Sequence, residues 1–193
     1  FDCGVDLISG GNHTFQHREM YQYLDSTGGI TRPLNYPAGA PGQGVAEAGD
    51  LVLINLIGRT FMNQDCDDPF RAADRAIEEI RGKRFVLVDL HAEATSEKQA
   101  MGWYLDGRVT AVIGTHTHVP TADNRVLPQG TAYCSDAGMC GARDSVIGDE
   151  VQAVIQRFLS QMPTRLPPAS GTAVLNGLLI EADDTTKRAT SIT

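Results

Sequence analysis

Cysteine is scarce in this chain, and its spacing excludes more than its number does. Cys3, Cys66, Cys134 and Cys140 are the only four in 193 residues, and no two form a C-x-x-C pair. A disulfide scaffold needs far denser cysteines. The thiols are therefore expected to be reduced, as in a cytoplasmic protein, with a Cys134–Cys140 pairing left open by their nearness in sequence. Positive charge is also short: 16 Lys and Arg stand against 24 Asp and Glu, a net charge of −8. That balance argues against stable nucleic-acid binding and against an anionic membrane surface, both of which need basic clusters. No apolar run approaches the roughly 18 residues of a membrane span, and no signal peptide is visible. There is no internal repeat and no low-complexity tract. No methionine opens the chain, which starts at the edge of an apolar run, Phe1-Asp2-Cys3-Gly4-Val5-Asp6-Leu7-Ile8. The expectation is that an upstream portion is absent.

What is present suffices for one core. With 41% hydrophobic residues over 193 positions, a single domain spanning 1–193 is expected. Short apolar, β-branched runs predict buried strands at 5–9, 51–56, 85–90, 109–114 and 131–136. Helices are predicted between them. One runs from Gln16 to Leu24, apolar at Met20, Tyr21 and Leu24. Another starts at Asp67-Asp68-Pro69, an acidic cap followed by proline, continues to about Arg81 and stops at Gly82. A third runs from Thr95 to about Leu105 with Ala100, Met101 and Leu105 inward, and a fourth from Glu150 to Met162. Residues 25–44 read as loop and 163–168 as linker. Thr172 to Glu181 reads as a closing antiparallel segment, continued by Arg188 to Ile192. Strands alternating with helices indicate an α/β layered fold, in which ligands bind outside the carboxyl ends of the strands.

Histidine is rare too, and its placement is informative. Of five, His13, His91, His116 and His118 fall at or just beyond predicted strand ends. His17 lies in a polar helix start and reads as a solvated side chain. In Gly114-Thr115-His116-Thr117-His118 the two imidazoles are two residues apart, so an extended chain turns both to one side. Two rings facing one point suit a shared metal ion. Asn12, at a glycine-flanked turn, can add an amide oxygen, or can simply form the turn. His91 can complete the set, or can be a hydrogen-bonded histidine under a loop. Neutral imidazoles with an amide oxygen suit Mn, Fe or Zn rather than Ca or Mg.

Several neighbours carry weaker signals. Asp89 and Glu93 are candidate acceptors that fix histidine tautomers, and Thr115 and Thr117 can help or can be plain β-formers. Asp123 and Arg125 read as a turn, and Arg59 as a surface residue or a phosphate contact. Two-metal hydrolysis ordinarily needs a carboxylate bridging the ions. None is evident, and Asp136 is the one candidate.

The blocks Gly11-Asn12-His13, Asp89-Leu90-His91-Ala92-Glu93-Ala94-Thr95-Ser96-Glu97-Lys98 and Gly114-Thr115-His116-Thr117-His118-Val119-Pro120-Thr121-Ala122-Asp123 resemble the signatures of the YmdB-like metallophosphoesterases, a calcineurin-like family. Arg32-Pro33-Leu34-Asn35-Tyr36 and Asp136-Ala137-Gly138-Met139 also resemble family segments, and the likeness covers nearly the whole chain. The resemblance implies a four-layer α/β/β/α sandwich with two transition-metal ions, Fe or Mn. It implies hydrolysis of 2′,3′-cyclic nucleotides to 3′-nucleotides by a hydroxide between the metals. It would make Asn12, His91 and His116 ligands of one metal, His118 a ligand of the other, and His13 the general acid. The family's opening strand with its metal-binding aspartate, and its later Glu-Asn pair, have no counterpart here.

The leading expectation is thus a metallophosphoesterase acting on a small cyclic phosphodiester, with a homo-oligomer left open by the apolar closing segment. The alternatives are another calcineurin-like phosphatase or nucleotidase, or a metal-binding regulatory protein without turnover.

Overall fold

Apolar runs ending in polar residues build the centre of the molecule in the computed structural model, which describes residues 1–193. The chain opens with extended and turn segments and a first helix, α1 (Glu19–Ser26). Next come strands β1 (Val45–Ala48) and β2 (Leu51–Ile57), helix α2 (Pro69–Glu79), strand β3 (Phe85–His91), helix α3 (Thr95–Tyr104) and strand β4 (Ala111–Thr115). Short strands β5 (Arg125–Val126), β6 (Ala132–Cys134) and β7 (Cys140–Ala142) follow, then helix α4 (Val151–Ser160), and finally β8 (Ala173–Leu175), β9 (Ile180–Ala182) and β10 (Ala189–Ile192).

The central sheet has the order β1-β2-β3-β4-β6-β5. Its inner strands β2, β3, β4 and β6 are parallel, and antiparallel β1 and β5 close its edges. The parallel register brings Ile57 beside His91 and His91 beside Thr115. Three strands therefore end at one level. Val52, Ile54, Leu56, Val88 and Leu90 pack against Ala72, Ala73, Met101 and Leu105 of the α2 and α3 side. Burial of each large aliphatic side chain there contributes about 1.5–3 kcal/mol.

On the opposite face Ala189 and Ile192 of the β9–β10 pair cover Ala111, Ile113, Ala132 and Cys134. The α/β class is as the sequence indicates. The β9–β10 pair lies over this face with β10 against β5 and β6, and a second two-stranded sheet is formed by β7 and β8.

Local chemistry explains α2. Asp68 accepts from the backbone N–H groups of Phe70 and Arg71, and Pro69 occupies the first turn. In α3 the phase differs from expectation. Lys98, Met101, Gly102 and Leu105 face inward while Ala100 is exposed, because positions 98, 101, 102 and 105 share one helical stripe and 100 lies off it.

The predicted strand 5–9 does not form. Its only pairing is a single bridge from Ile8 to Ile30, and Val5 and Ile8 stay exposed. An apolar run becomes a strand only with a neighbour to bond, and the turn-rich segment 27–30 offers just that one contact. Strand β1 escapes the sequence reading because four residues at a sheet edge carry too little periodicity. The closing segment splits in two, β8 pairing with β7 and β9 with β10. All four cysteines are free thiols, so the Cys134–Cys140 pairing left open above is not made.

Candidate active site

Strand ends β3 and β4 deliver His91 and Thr115 side by side, and a turn brings Asn12 to them from far upstream. Gly11 makes that approach feasible: a Cβ there would lie 2.6 Å from the His91 ring. Asn12 Oδ1 then sits 2.8 Å from His91 Nε2, and His116 Nδ1 sits 3.1 Å from the same nitrogen.

The protons in this cluster are fixed from outside. The Thr115 hydroxyl donates to Asp89 Oδ1 at 2.8 Å, which leaves its oxygen to accept from His91 Nδ1 at 2.9 Å. With its proton on Nδ1, His91 presents a bare lone pair at Nε2. Burial first, and the neighbouring His116 and Lys98 next, lower its pKa to about 4, so the ring is neutral. His116 Nε2 faces Glu93 Oε2 at 3.2 Å, which places its proton there and turns the Nδ1 lone pair inward. Its pKa is also lowered, by burial against the pull of Glu93.

Asp89 is buried. Burial raises its pKa to about 6, partly offset by bonds from Ser9 and Thr115. The Asn55 amide approaches its other oxygen at 3.5 Å while the Asn55 carbonyl oxygen accepts from Gly10 N–H.

The double histidine does not lie in an extended strand. β4 ends at Thr115, and His116 and His118 both have positive φ, 106° and 68°. Asp136 causes the turn: its carboxylate accepts from the backbone N–H (3.0 Å) and hydroxyl (2.8 Å) of Thr117. With Thr117 drawn inward, the flanking rings diverge. His116 goes to His91, and His118 Nδ1 donates to the carbonyl of Ile147 at 2.9 Å, leaving its Nε2 free.

Asp136 is thereby corrected from a bridging candidate to an anchor. Its remaining capacity is taken by Lys98 Nζ at 2.8 Å, in an ion pair 2% exposed on each side, and by Gly138 N–H. Gly114 permits this contact, since a Cβ there would collide with the Ser135 carbonyl oxygen.

A cleft of about 370 Å³ opens over the cluster, lined by Asn12, His13, Thr31, Asp89, His91 and Thr115 among others. His13 stands exposed at this cleft and touches none of the three converging atoms. His17 is exposed, as expected. Arg59 is exposed, 3.9 Å from Asp68. Asp123 accepts from Ser135 and Thr121, and Arg125 lies in β5 over the Trp103 ring. Both serve the scaffold.

Sequence reasoning passed over Asn55, whose signal was a lone amide inside Leu53-Ile54-Asn55-Leu56. It also passed over Lys98, placed only in the opening turn of the third helix, and Glu97, whose carboxylate accepts from Arg59 and Thr60 N–H.

Chemically, Asn12 Oδ1 and His116 Nδ1 each lie within hydrogen-bond range of His91 Nε2, at 2.8 and 3.1 Å. These two separations match neighbouring donors in the shell of a small transition-metal ion, whose bonds to imidazole are about 2.0–2.1 Å. The residues present fit one such ion. For a second they offer only His118 Nε2, and no point gathers three or more His, Cys, Asp or Glu.

A family model described as "YmdB-like protein" matches residues 1–193. The 2′,3′-cyclic-nucleotide 2′-phosphodiesterase of Bacillus subtilis (strain 168) is 47% identical over 194 residues, covering 98% of this chain and 73% of that protein. The crystal structure of a hypothetical protein from Thermus thermophilus matches with a TM-score of 0.91 at 47% identity, over 100% of this chain and 76% of that one. The crystal structure of a novel phosphatase from Mycoplasma pneumoniae matches with a TM-score of 0.90 at 35% identity, over 100% of this chain and 72% of that one.

Proposed function

This chain belongs to the YmdB-like protein family, and on that footing we propose that it is a metal-dependent phosphodiesterase opening 2′,3′-cyclic nucleotides to 3′-nucleotides. The observation that carries the reading is the convergence of Asn12 Oδ1 and His116 Nδ1 on His91 Nε2, with Thr115 and Glu93 as outer partners of the two rings. The name of the Bacillus subtilis relative supplies the substrate class.

In this reading Asn12, His91 and His116 hold one transition-metal ion, Fe, Mn or Zn, and His118 Nε2 contributes to a second. Such ions supply Lewis-acid chemistry, polarising phosphoryl oxygens and lowering the pKa of water. The protein's own residues do the rest. Asp89, through Thr115, fixes the orientation of His91, and Glu93 does the same for His116. The cyclic phosphate lies in the cleft beside Asn12 and His91. Water attacks phosphorus opposite the ribose O2′, the P–O2′ bond breaks, and protonated His13 at the cleft donates its proton to that departing oxygen. The products balance as a 3′-phosphate with a free 2′-hydroxyl. His13 recovers its proton as the attacking water loses one.

The test is a substrate panel of 2′,3′-cyclic AMP, bis-p-nitrophenyl phosphate and p-nitrophenyl phosphate, with the nucleotide product identified by chromatography. Cleavage of the diesters with release of 3′-AMP is the expected result. Release of 2′-AMP would keep the diesterase but move the broken bond to P–O3′, overturning the 2′-phosphodiesterase assignment, and turnover of the monoester alone would replace this reading with that of a phosphomonoesterase. No turnover of any substrate by metal-loaded protein would favour a regulatory metal binder.

A further inference from the structure

We propose that Phe61 is the platform on which the nucleobase of the substrate stacks, a reading that rests on the nucleotide phosphodiesterase activity proposed above. The loop that carries it leaves β2 at the level of the site, and its two feet stand on two of the converging residues. Gly58 N–H donates to the carbonyl of His91 at 3.0 Å, and the Gln64 amide reaches the carbonyl of Asn12 at 3.5 Å. The side chains of those same two residues meet at 2.8 Å. Phe61 is midway, three residues from either foot, so it lies within about 10 Å of both.

The first half of the loop is pinned. The Glu97 carboxylate accepts from Arg59 N–H at 2.9 Å and Thr60 N–H at 3.1 Å. Directly after these bonds the backbone of Phe61 turns to φ 61°, and the residue is 85% exposed. A bulky residue held at positive φ is rare and strained, and such strain concentrates at functional sites. A single exposed apolar side chain is ordinary. An aromatic one, strained into the open at the apex of a loop that bridges two site residues, is not accounted for by packing.

The cleft itself supplies no such surface. Its lining includes no Phe, Tyr or Trp, so a nucleotide with its phosphate against Asn12 and His91 finds no flat apolar face there for its base. The exposed Phe61, on the loop that stands on Asn12 and His91, provides one. Stacking on it tolerates every base because every base has a π-face, so the platform recognises nucleotides as a class rather than one base.

The experiment uses the full chain, metal-loaded, with Phe61→Ala, Phe61→Leu and Phe61→Trp variants checked for fold by circular dichroism. Kinetics are compared on 2′,3′-cyclic AMP and on methyl riboside 2′,3′-cyclic phosphate, which lacks a base. Binding of 3′-AMP is measured separately by calorimetry. Phe61→Ala and Phe61→Leu are expected to raise KM for the nucleotide roughly 10- to 100-fold with kcat unchanged. They should leave the base-less substrate unaffected, and Phe61→Trp should bind as the wild type does.

An unchanged KM, an equal change on both substrates, or full function with leucine would overturn the proposal. If the wild type turns over no cyclic nucleotide, the functional reading fails on its own. The 3′-AMP titration then decides the platform: affinity lost with the ring supports it, and affinity absent or indifferent to the ring refutes it.

Discussion

His91 Nε2 and Asn12 Oδ1 stand 2.8 Å apart across 79 residues of sequence, and with the His91 proton on Nδ1 neither atom has one to give. The proton of His91 is on Nδ1, committed to Thr115, so two lone pairs face each other. Rotation of the Asn12 amide would satisfy the pair through Nδ2–H. A cation would satisfy it with the oxygen turned inward.

Thr115→Val breaks the link between Asp89 and His91 without touching a proposed ligand. Outer-sphere partners of this kind are worth about 10–100-fold in metal affinity, and a drop of that size is expected when Mn or Fe binding is titrated. Unchanged affinity would show that the Thr115 hydroxyl does not set the His91 tautomer.

His13→Asn separates proton donation from metal binding. Metal content by elemental analysis is expected to match the wild type, while kcat on 2′,3′-cyclic AMP falls roughly 10²–10⁴-fold. Lost metal would make His13 a ligand and remove its role as acid.

Lys98 and Asp136 form a buried ion pair that also holds Thr117 in place. Removing one partner of such a pair costs about 3–5 kcal/mol, so Lys98→Met and Asp136→Asn should each lose that much in urea unfolding. The combined Lys98→Met, Asp136→Leu variant should recover much of the loss in stability. It should not recover activity, because Thr117 loses its anchor.

The same pair predicts an acid limb of stability. Burial raises the Asp136 pKa, but Lys98, Gly138 and Thr117 outweigh it and hold the carboxyl below its ordinary 3.8. A carboxylate whose pKa drops on folding contributes stability that is present above the unfolded pKa and lost as pH falls through the folded one. The stability gap between wild type and Asp136→Asn should therefore narrow below pH 3.8. A constant gap through the acid range would contradict the pairing.

What could be read from the sequence was local. Asp68-Pro69 announces α2 because cap chemistry acts within three residues. The runs at 51–56 and 85–90 announce central strands because they are apolar on both faces. The histidines at the end of β3 and just past β4 mark the site because strand ends converge in an α/β sheet. What failed depended on distant partners. The i, i+2 argument for His116 and His118 assumes extended chain, and Asp136, some twenty residues on, bends it. Lys98 is a surface lysine by position and a core residue by virtue of the same aspartate. Asn12 reaches His91 through the absence of a side chain at Gly11, not through a strand at 5–9.

The most direct test is crystallographic: anomalous scattering from crystals of the protein loaded with Mn or Fe. A peak about 2.0–2.2 Å from Asn12 Oδ1, His91 Nε2 and His116 Nδ1 together is the predicted result. No peak there, with the Asn12 amide turned to donate Nδ2–H to His91 in metal-soaked crystals, would contradict it.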